Sequence, residues 1–408
     1  MKISNTIDKM VIPEFAMDTV TDASGKVTPG IKRMYDIAYE IKDSVMQWSL
    51  PGIGKSQGVL QWNAERVEAF NRRIENGENV KPWNPVVCDV RLSMKEPVDL
   101  VGVPTISVST KDENGSPVTV WATPSMWPKD DGKYSGGVIH LDEINQGQPA
   151  ILNAAFQLIQ DRGLGEYKVP DGYLIIASSN PSAFNSTVTE FSLPLSNRFS
   201  HFNIRPDFES WLNYRMRTGG NTTVMSFLKT EGTDVFCDIK GIESRIGCEI
   251  KDTLFNDIIV TPRSWEVVEK VLNLPDSQFN EQEKYLYITG RLGIALATKL
   301  FNYIKEANKY QPWQEILESG KEFRDETDMQ SYWNTQINCL TKINSEKDDK
   351  KLRQYVLNFI EATRKLKSKP YKITNLSALV HCDNLKGRPD MFSAIKDAGD
   401  LVSLISVN

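Results

Sequence analysis

The spacing of apolar residues changes character along this chain. Up to about residue 206 short apolar runs alternate with helical patterns, and beyond Pro206 the helical pattern dominates. Ile31, Met34, Ile37, Ala38 and Ile41 fall at helical spacing, which predicts a helix from Ile31 to about Ser44. Val45-Met46-Gln47-Trp48 follows as a short strand. Val59, Leu60, Trp62, Val67 and Phe70 then carry a helix from Lys55 to near Asn76-Gly77. Further strands are predicted at 85–90, 137–141, 174–178 and 201–204, with a helix over 148–160 and a glycine-flanked hairpin over 163–172. Between Ser93 and Ser135 lies a long, turn-rich insertion in which Asn114-Gly115 signals a hairpin joining 106–108 to 118–121. Helices are predicted over 209–230, 262–273, 280–308 and 350–368, and residues 1–30 read as a leader.

Strands alternating with helices imply an α/β fold, a mainly parallel sheet with helices on both faces. Ligands on such sheets sit beyond the carboxyl ends of the strands. At the end of the first core strand stands Ser49-Leu50-Pro51-Gly52-Ile53-Gly54-Lys55-Ser56, a phosphate-binding loop whose first glycine is replaced by serine. Gly52 and Gly54 let the backbone curl so that N–H groups point inward at an anion. The helix opening at Lys55 adds its positive end. Lys55 can reach the β- and γ-phosphates, and Ser56 offers a hydroxyl to Mg²⁺. Read alone, the loop also fits a glycine-rich turn capping an ordinary helix.

Composition narrows the field. The chain has 408 residues, with 48 Lys and Arg against 53 Asp and Glu, a net charge of −5 that gives no global basic surface for nucleic acid. No apolar run approaches the ~18 residues of a membrane span, and the N-terminus lacks the apolar centre of a signal peptide. The 5 cysteines are scattered without CxxC spacing and there are only 3 histidines, which argues against a zinc site or a disulfide framework. A reduced, cytoplasmic setting is the expectation.

The loop has partners downstream. Val138-Ile139-His140-Leu141-Asp142-Glu143 is an apolar strand ending in two carboxylates. Asp142 is placed to hold Mg²⁺, and Glu143 to polarise a water for attack on the γ-phosphate. His140 alternates with apolar neighbours and reads as a packed strand histidine. Asn180 follows the 174–178 strand, where its amide could orient the attacking water; the same residues also make a simple Asn-Pro turn. Arg198, in Leu193-Pro194-Leu195-Ser196-Asn197-Arg198-Phe199, could stabilise charge on a transferring phosphoryl group, and Arg263 opens a helix after Pro262. Singly, either arginine also fits a surface ion pair.

In this order the set resembles the AAA+ ATPases, and within them the MoxR-type branch and its phage-encoded relatives. The resemblance is carried by Pro51 to Ser56, by Asp142-Glu143-Ile144-Asn145, and by Asn180-Pro181 followed by Leu193 to Phe199. It covers about Ile31 to Leu300. It implies a P-loop core over 31–206, a helical lid over 207–308 and a helical C-terminal extension over 309–408. Pro51, Gly52, Ile53, Gly54, Lys55, Ser56 and Gln57 would bind ATP with Asp142, and Ser56 and Asp142 would serve Mg²⁺. Glu143 would be the Walker B base, Asn180 sensor 1, Arg198 an arginine finger reaching a neighbour, and Arg263 sensor 2. The 93–135 segment would include the helix-2 insert, and 162–172 the pre-sensor hairpin. Two positions depart from the family pattern: Ser49 in the loop, and Asn197 where that run has Asp. The expectation is an Mg²⁺-dependent ATPase in a homo-oligomeric, hexameric ring that remodels a protein client.

Two alternatives stay open. A DNA-acting motor of the same superfamily is suggested by the basic run from Arg364 to Lys372, which also fits a solvated helix end. A nucleotide-binding switch that does not hydrolyse would not need Glu143, Asn180 and Arg198 together. A GTPase is disfavoured, because no Asn-Lys-x-Asp segment is present.

Overall fold

The computed structural model describes residues 13–21, 27–111, 115–181, 193–238, 258–307, 309–324, 328–380, 382–385 and 388. These fall into two compact units. One is drawn from Met1–Met17 and Pro29–Arg205, the other from Asp18–Thr28 and Pro206–Asn408.

The first unit is built on a 6-stranded sheet. Its strands are β1 (Glu14–Phe15), β2 (Val45–Ser49), β3 (Cys88–Arg91), β4 (Gly137–Asp142), β5 (Tyr173–Ser179) and β6 (Ser200–Ile204). They lie in the order β1-β6-β2-β5-β4-β3, every neighbouring pair parallel. Side chains alternate between two helical layers, as the pleat requires. Val45, Val138, Leu174, Ile176 and Ile204 meet the helices α1 (Ile31–Ile41) and α2 (Lys55–Glu75). Met46, Val90, Ile139, Leu141, Ile175 and Ala177 share the opposite core with the helix Pro149–Asp161. Covered on both sides, β4 and β5 are buried at every position, which is why they read as continuous apolar runs rather than alternating ones.

Differences from the sequence expectation have local causes. The strand expected over 85–90 begins only at Cys88. Pro85 has no N–H for a ladder, and the carbonyls of Asn84 and Pro85 instead accept from Asn63 Nδ2 at 3.2 and 3.1 Å. Within α1, Ile31 and Ala38 are buried with Tyr35, whereas Ile37 and Ile41 are exposed. The two-residue strand β1, inside the segment read as a leader, is too short to leave a periodic signal; it pairs with β6 through Asn203 and Ile204. The insertion after β3 contains a short helix, Pro97–Val101, and an antiparallel hairpin, Val103–Lys111 with Pro117–Ala122, in which Ile106 faces Thr119. Asn114 lies outside the described residues.

The second unit is mainly helical, with one short antiparallel pair, Val20–Thr21 with Val27–Thr28. The helix expected over 209–230 is two, Phe208–Thr218 and Thr222–Glu231, divided at Gly219-Gly220; that over 280–308 is likewise Glu281–Leu292 and Ile294–Ala307. Helix Met329–Ser345, unforeseen from the pattern, packs on Thr222–Glu231, so contacts cross the boundary expected at 308/309. Its inward face is partly polar, which hid its period. Buried Thr335 donates to the Gln311 carbonyl at 3.0 Å, while Tyr332 and Gln336 both donate to Asn375 Oδ1, at 2.8 and 2.6 Å. No helix among the described residues is long and apolar enough to cross a membrane.

Candidate nucleotide site

Strand order reverses around β2. The chain leaves β2 for the far edge at β3, steps back through β4 and β5, then passes to the other side of β2 as β6. In a parallel sheet such a reversal opens a crevice at the carboxyl ends of the strands. The glycine loop leaves β2 at that edge, and Asp142 and Asn180 stand at or just past the ends of β4 and β5.

Loop geometry follows from its glycines. Gly52 and Gly54 have φ of 79° and 101°, a region closed to most L side chains. At Gly54, the N-cap of α2, an added Cβ would meet nothing within 4 Å, so the glycine serves backbone conformation rather than packing. No side chain of the N-cap residue covers the first N–H groups of α2, the arrangement that favours an anion at a helix start.

The side chains around the loop are close enough to act together. Lys55 Nζ donates to Asn180 Oδ1 at 2.6 Å and to Ser49 Oγ at 2.8 Å, with the carbonyls of Ser49 and Leu50 each at 3.5 Å. Ser56 Oγ donates to Asp142 Oδ2 at 3.1 Å, and Asp142 Oδ1 accepts from the Glu143 N–H at 3.0 Å. Sheet register explains the meeting. Ser179 is level with Trp48, which sets Asn180 beside Ser49, and Arg91 is level with Asp142.

Glu143 has φ 53° and ψ 37°, one of three non-glycine residues with positive φ among those described. Its Oε2 accepts from Ser93 Oγ at 2.7 Å. Asn145 Nδ2 donates to the Asn180 carbonyl at 2.8 Å, while its own buried Oδ1 has no partner.

One row of polar side chains runs beneath this edge. Tyr35 donates to Gln47 Oε1 at 2.5 Å, Gln47 Nε2 to Ser178 Oγ at 2.5 Å, and His140 joins Ser178 at 2.5 Å through Nε2 and Asp89 at 2.7 Å through Nδ1. The His140 hydrogen bond holds the Asp89 carboxyl below the ordinary carboxylate range, against the opposing effect of burial. Asp89, His140 and Asp142 place donor atoms within 4.8 Å of one another. Both ring nitrogens of His140 are already engaged, however, in keeping with a packed strand histidine. The donors that fit Mg²⁺ are oxygens, Ser56 Oγ and the Asp142 carboxylate, which already lie together.

Lys55 is thus paired with Asn180 and Ser56 with Asp142, with Glu143 next in chain. Gln57 and Pro51 are exposed. Arg198 lies over the ring of Phe156, 4.2 Å from its centroid, and donates to the Pro194 carbonyl. Arg263 belongs to the second unit, exposed one residue into helix Pro262–Leu272, whose start is fixed by a capping box of Thr261 and Ser264. Ser49, Ser93 and the Gln47–Ser178–His140 row were not anticipated as site residues. The only sequence signal for Ser93 was its place just past a strand end on the same edge.

No protein-family model and no curated protein matches the sequence. Among solved structures, a putative ATPase from Cytophaga hutchinsonii is similar at 12% identity and a TM-score of 0.31, over 64% of this chain and 80% of that one. Hsp104 in a closed state with ATPγS and casein is similar at 17% identity and a TM-score of 0.28, over 68% of this chain and 41% of that one. A RuvB point mutant from Thermotoga maritima gives 13% identity and a TM-score of 0.26, over 90% and 86%. Likenesses this low establish neither family nor activity, and the functional reading rests on the geometry of the chain itself.

Proposed function

We propose that this chain is an Mg²⁺-dependent ATPase of the AAA+ type, of the MoxR-like branch, which works as a homo-oligomeric ring on a protein client. The observation that carries the reading is the pairing of Lys55 with Asn180 and of Ser56 with Asp142 at one sheet edge, beside a loop that Gly52 and Gly54 turn with positive φ. Loop N–H groups and Lys55 would take the β- and γ-phosphates. Mg²⁺ held by Ser56 and Asp142 would neutralise charge on the phosphate oxygens. Glu143, beside Asp142 and restrained by Ser93, would draw the proton from the attacking water. Asn180 would orient that water. Arg198, stacked on Phe156, is read as acting on a neighbouring subunit's phosphate, and Arg263 as sensor 2.

Two members of the basic run from Arg364 to Lys372 are paired within the chain, which favours its reading as a solvated helix end over the DNA-motor alternative. Arg364 pairs with Glu361, and Lys365 with Glu322 at 3.1 Å.

Glu143→Gln is the deciding experiment. It keeps the shape and removes the base, so ATP should bind with nearly unchanged affinity while phosphate release falls by about a hundredfold or more. Hydrolysis at the wild-type rate would show that Glu143 is not the base.

A further inference from the structure

The serine that breaks the loop pattern is itself a working part. We infer that Ser49 is a positioning residue for Lys55: with Asn180 it forms a seat for the ammonium, from which a bound polyphosphate must draw it away. The inference rests on the nucleotide reading proposed above.

Four observations support it. Ser49 ends β2, is 1% exposed, and is not among the described non-glycine residues with positive φ, so no glycine is needed there for conformation. Its hydroxyl donates to the Leu50 carbonyl at 2.9 Å, which commits its one proton and leaves lone pairs to accept from Lys55 at 2.8 Å. A glycine could make neither contact. Asn180 Oδ1 takes a second proton of the ammonium at 2.6 Å, while the Asn180 carbonyl is held by Asn145.

The ammonium has three protons and faces four acceptors within 3.5 Å. A bond to phosphate therefore requires Lys55 to give up at least one that it makes now. Hydrogen bonds to charged groups are among the stronger ones, so the seat sets nucleotide affinity below what the loop alone would give. It also speeds release. Withdrawing Lys55 frees Oδ1 of the Asn180 amide, the group read above as orienting the attacking water, so phosphate arrival and the readiness of Asn180 are linked.

The test uses the full chain as Ser49→Ala and Ser49→Gly, with a non-hydrolysable ATP analogue and Mg²⁺ as probe. Both variants should bind the analogue about tenfold more tightly and release it more slowly. Without nucleotide, acylation of Lys55 by an amine reagent, read by peptide mass spectrometry, should be several-fold faster than in the wild type. Lys32, held by Glu65 at 2.7 Å, should label as before and so reports an unaltered fold. Weaker binding in the variants would mean that Ser49 supports Lys55 on the nucleotide, which overturns the proposal. So would unchanged affinity with unchanged Lys55 labelling. Wild-type chain that binds no analogue at all would overturn the ATPase reading, and with it the competition, whatever the labelling shows.

Discussion

Cys88, on β3, illustrates how a single residue can be legible in type and hidden in role. Its sulfur donates to the Met126 carbonyl at 3.1 Å, and burial pushes the thiol from 9.0 up to about 12; burial likewise raises Cys237 to about 11. Below pH 9 the thiols are protonated in both folded and unfolded chain. Above it the unfolded chain loses these protons first, so it binds fewer than the native chain and stability falls as pH rises. The loss should be on the order of 1 kcal/mol per pH unit for each such thiol, over pH 9 to 11–12. Urea midpoints at pH 8 and pH 10.5 will show it, and Cys88→Ala should reduce the drop; an equal drop in that variant would put its cause elsewhere. The residues of the phosphate loop were readable because chemistry fixes their spacing along one stretch of chain. Ser93 was not: its meeting with Glu143 depends on β3 and β4 being neighbours, and nothing local encodes that.

Elements were legible where one face is apolar and the other wet, and harder to read elsewhere. Helix α2 carries its message in Val59, Trp62 and Phe70, all buried against the sheet. Met329–Ser345 buries Asn334, Thr335 and Gln336 among its apolar residues Ile337, Leu340 and Ile343, and these polar positions broke up the same period. Trp62 ties α2 to its surroundings by edge-to-face contacts with Tyr35 and Trp83, at 5.8 and 6.0 Å, and by donating to Asp36 at 3.0 Å. Trp62→Ala should therefore cost about 3–5 kcal/mol, seen as a lower urea midpoint. Because α2 begins at Lys55, the nucleotide affinity of the folded fraction should fall as well. A variant as stable as the wild type would show that this aromatic cluster does not anchor the helix.

At the scale of the whole molecule, the proposed ring makes a claim that no single chain can satisfy. Arg198→Ala should bind ATP normally yet turn it over at least about a hundredfold more slowly. Lys55→Ala subunits should not turn over at all. Mixed rings of the two should recover part of the activity, since an intact pocket can then receive an intact Arg198 from its neighbour. Recovery that never exceeds the sum of the two parents, with subunit exchange demonstrated, would place Arg198 in its own chain's machinery or in its packing alone.

The polar row from Asp89 through His140, Ser178 and Gln47 to Tyr35 bears on how such a molecule would carry a load. Its links join β3, β4, β5 and β2 in the order in which those strands lie in the sheet, and the last fastens α1. Sliding β5 along its own axis would break the Gln47 and His140 links together, at the same moment as the backbone ladders on both flanks. Strands fastened crosswise in this way resist shear as a block. A pull on any one of them would reach the edge that carries Asp142 and Asn180 with little slack.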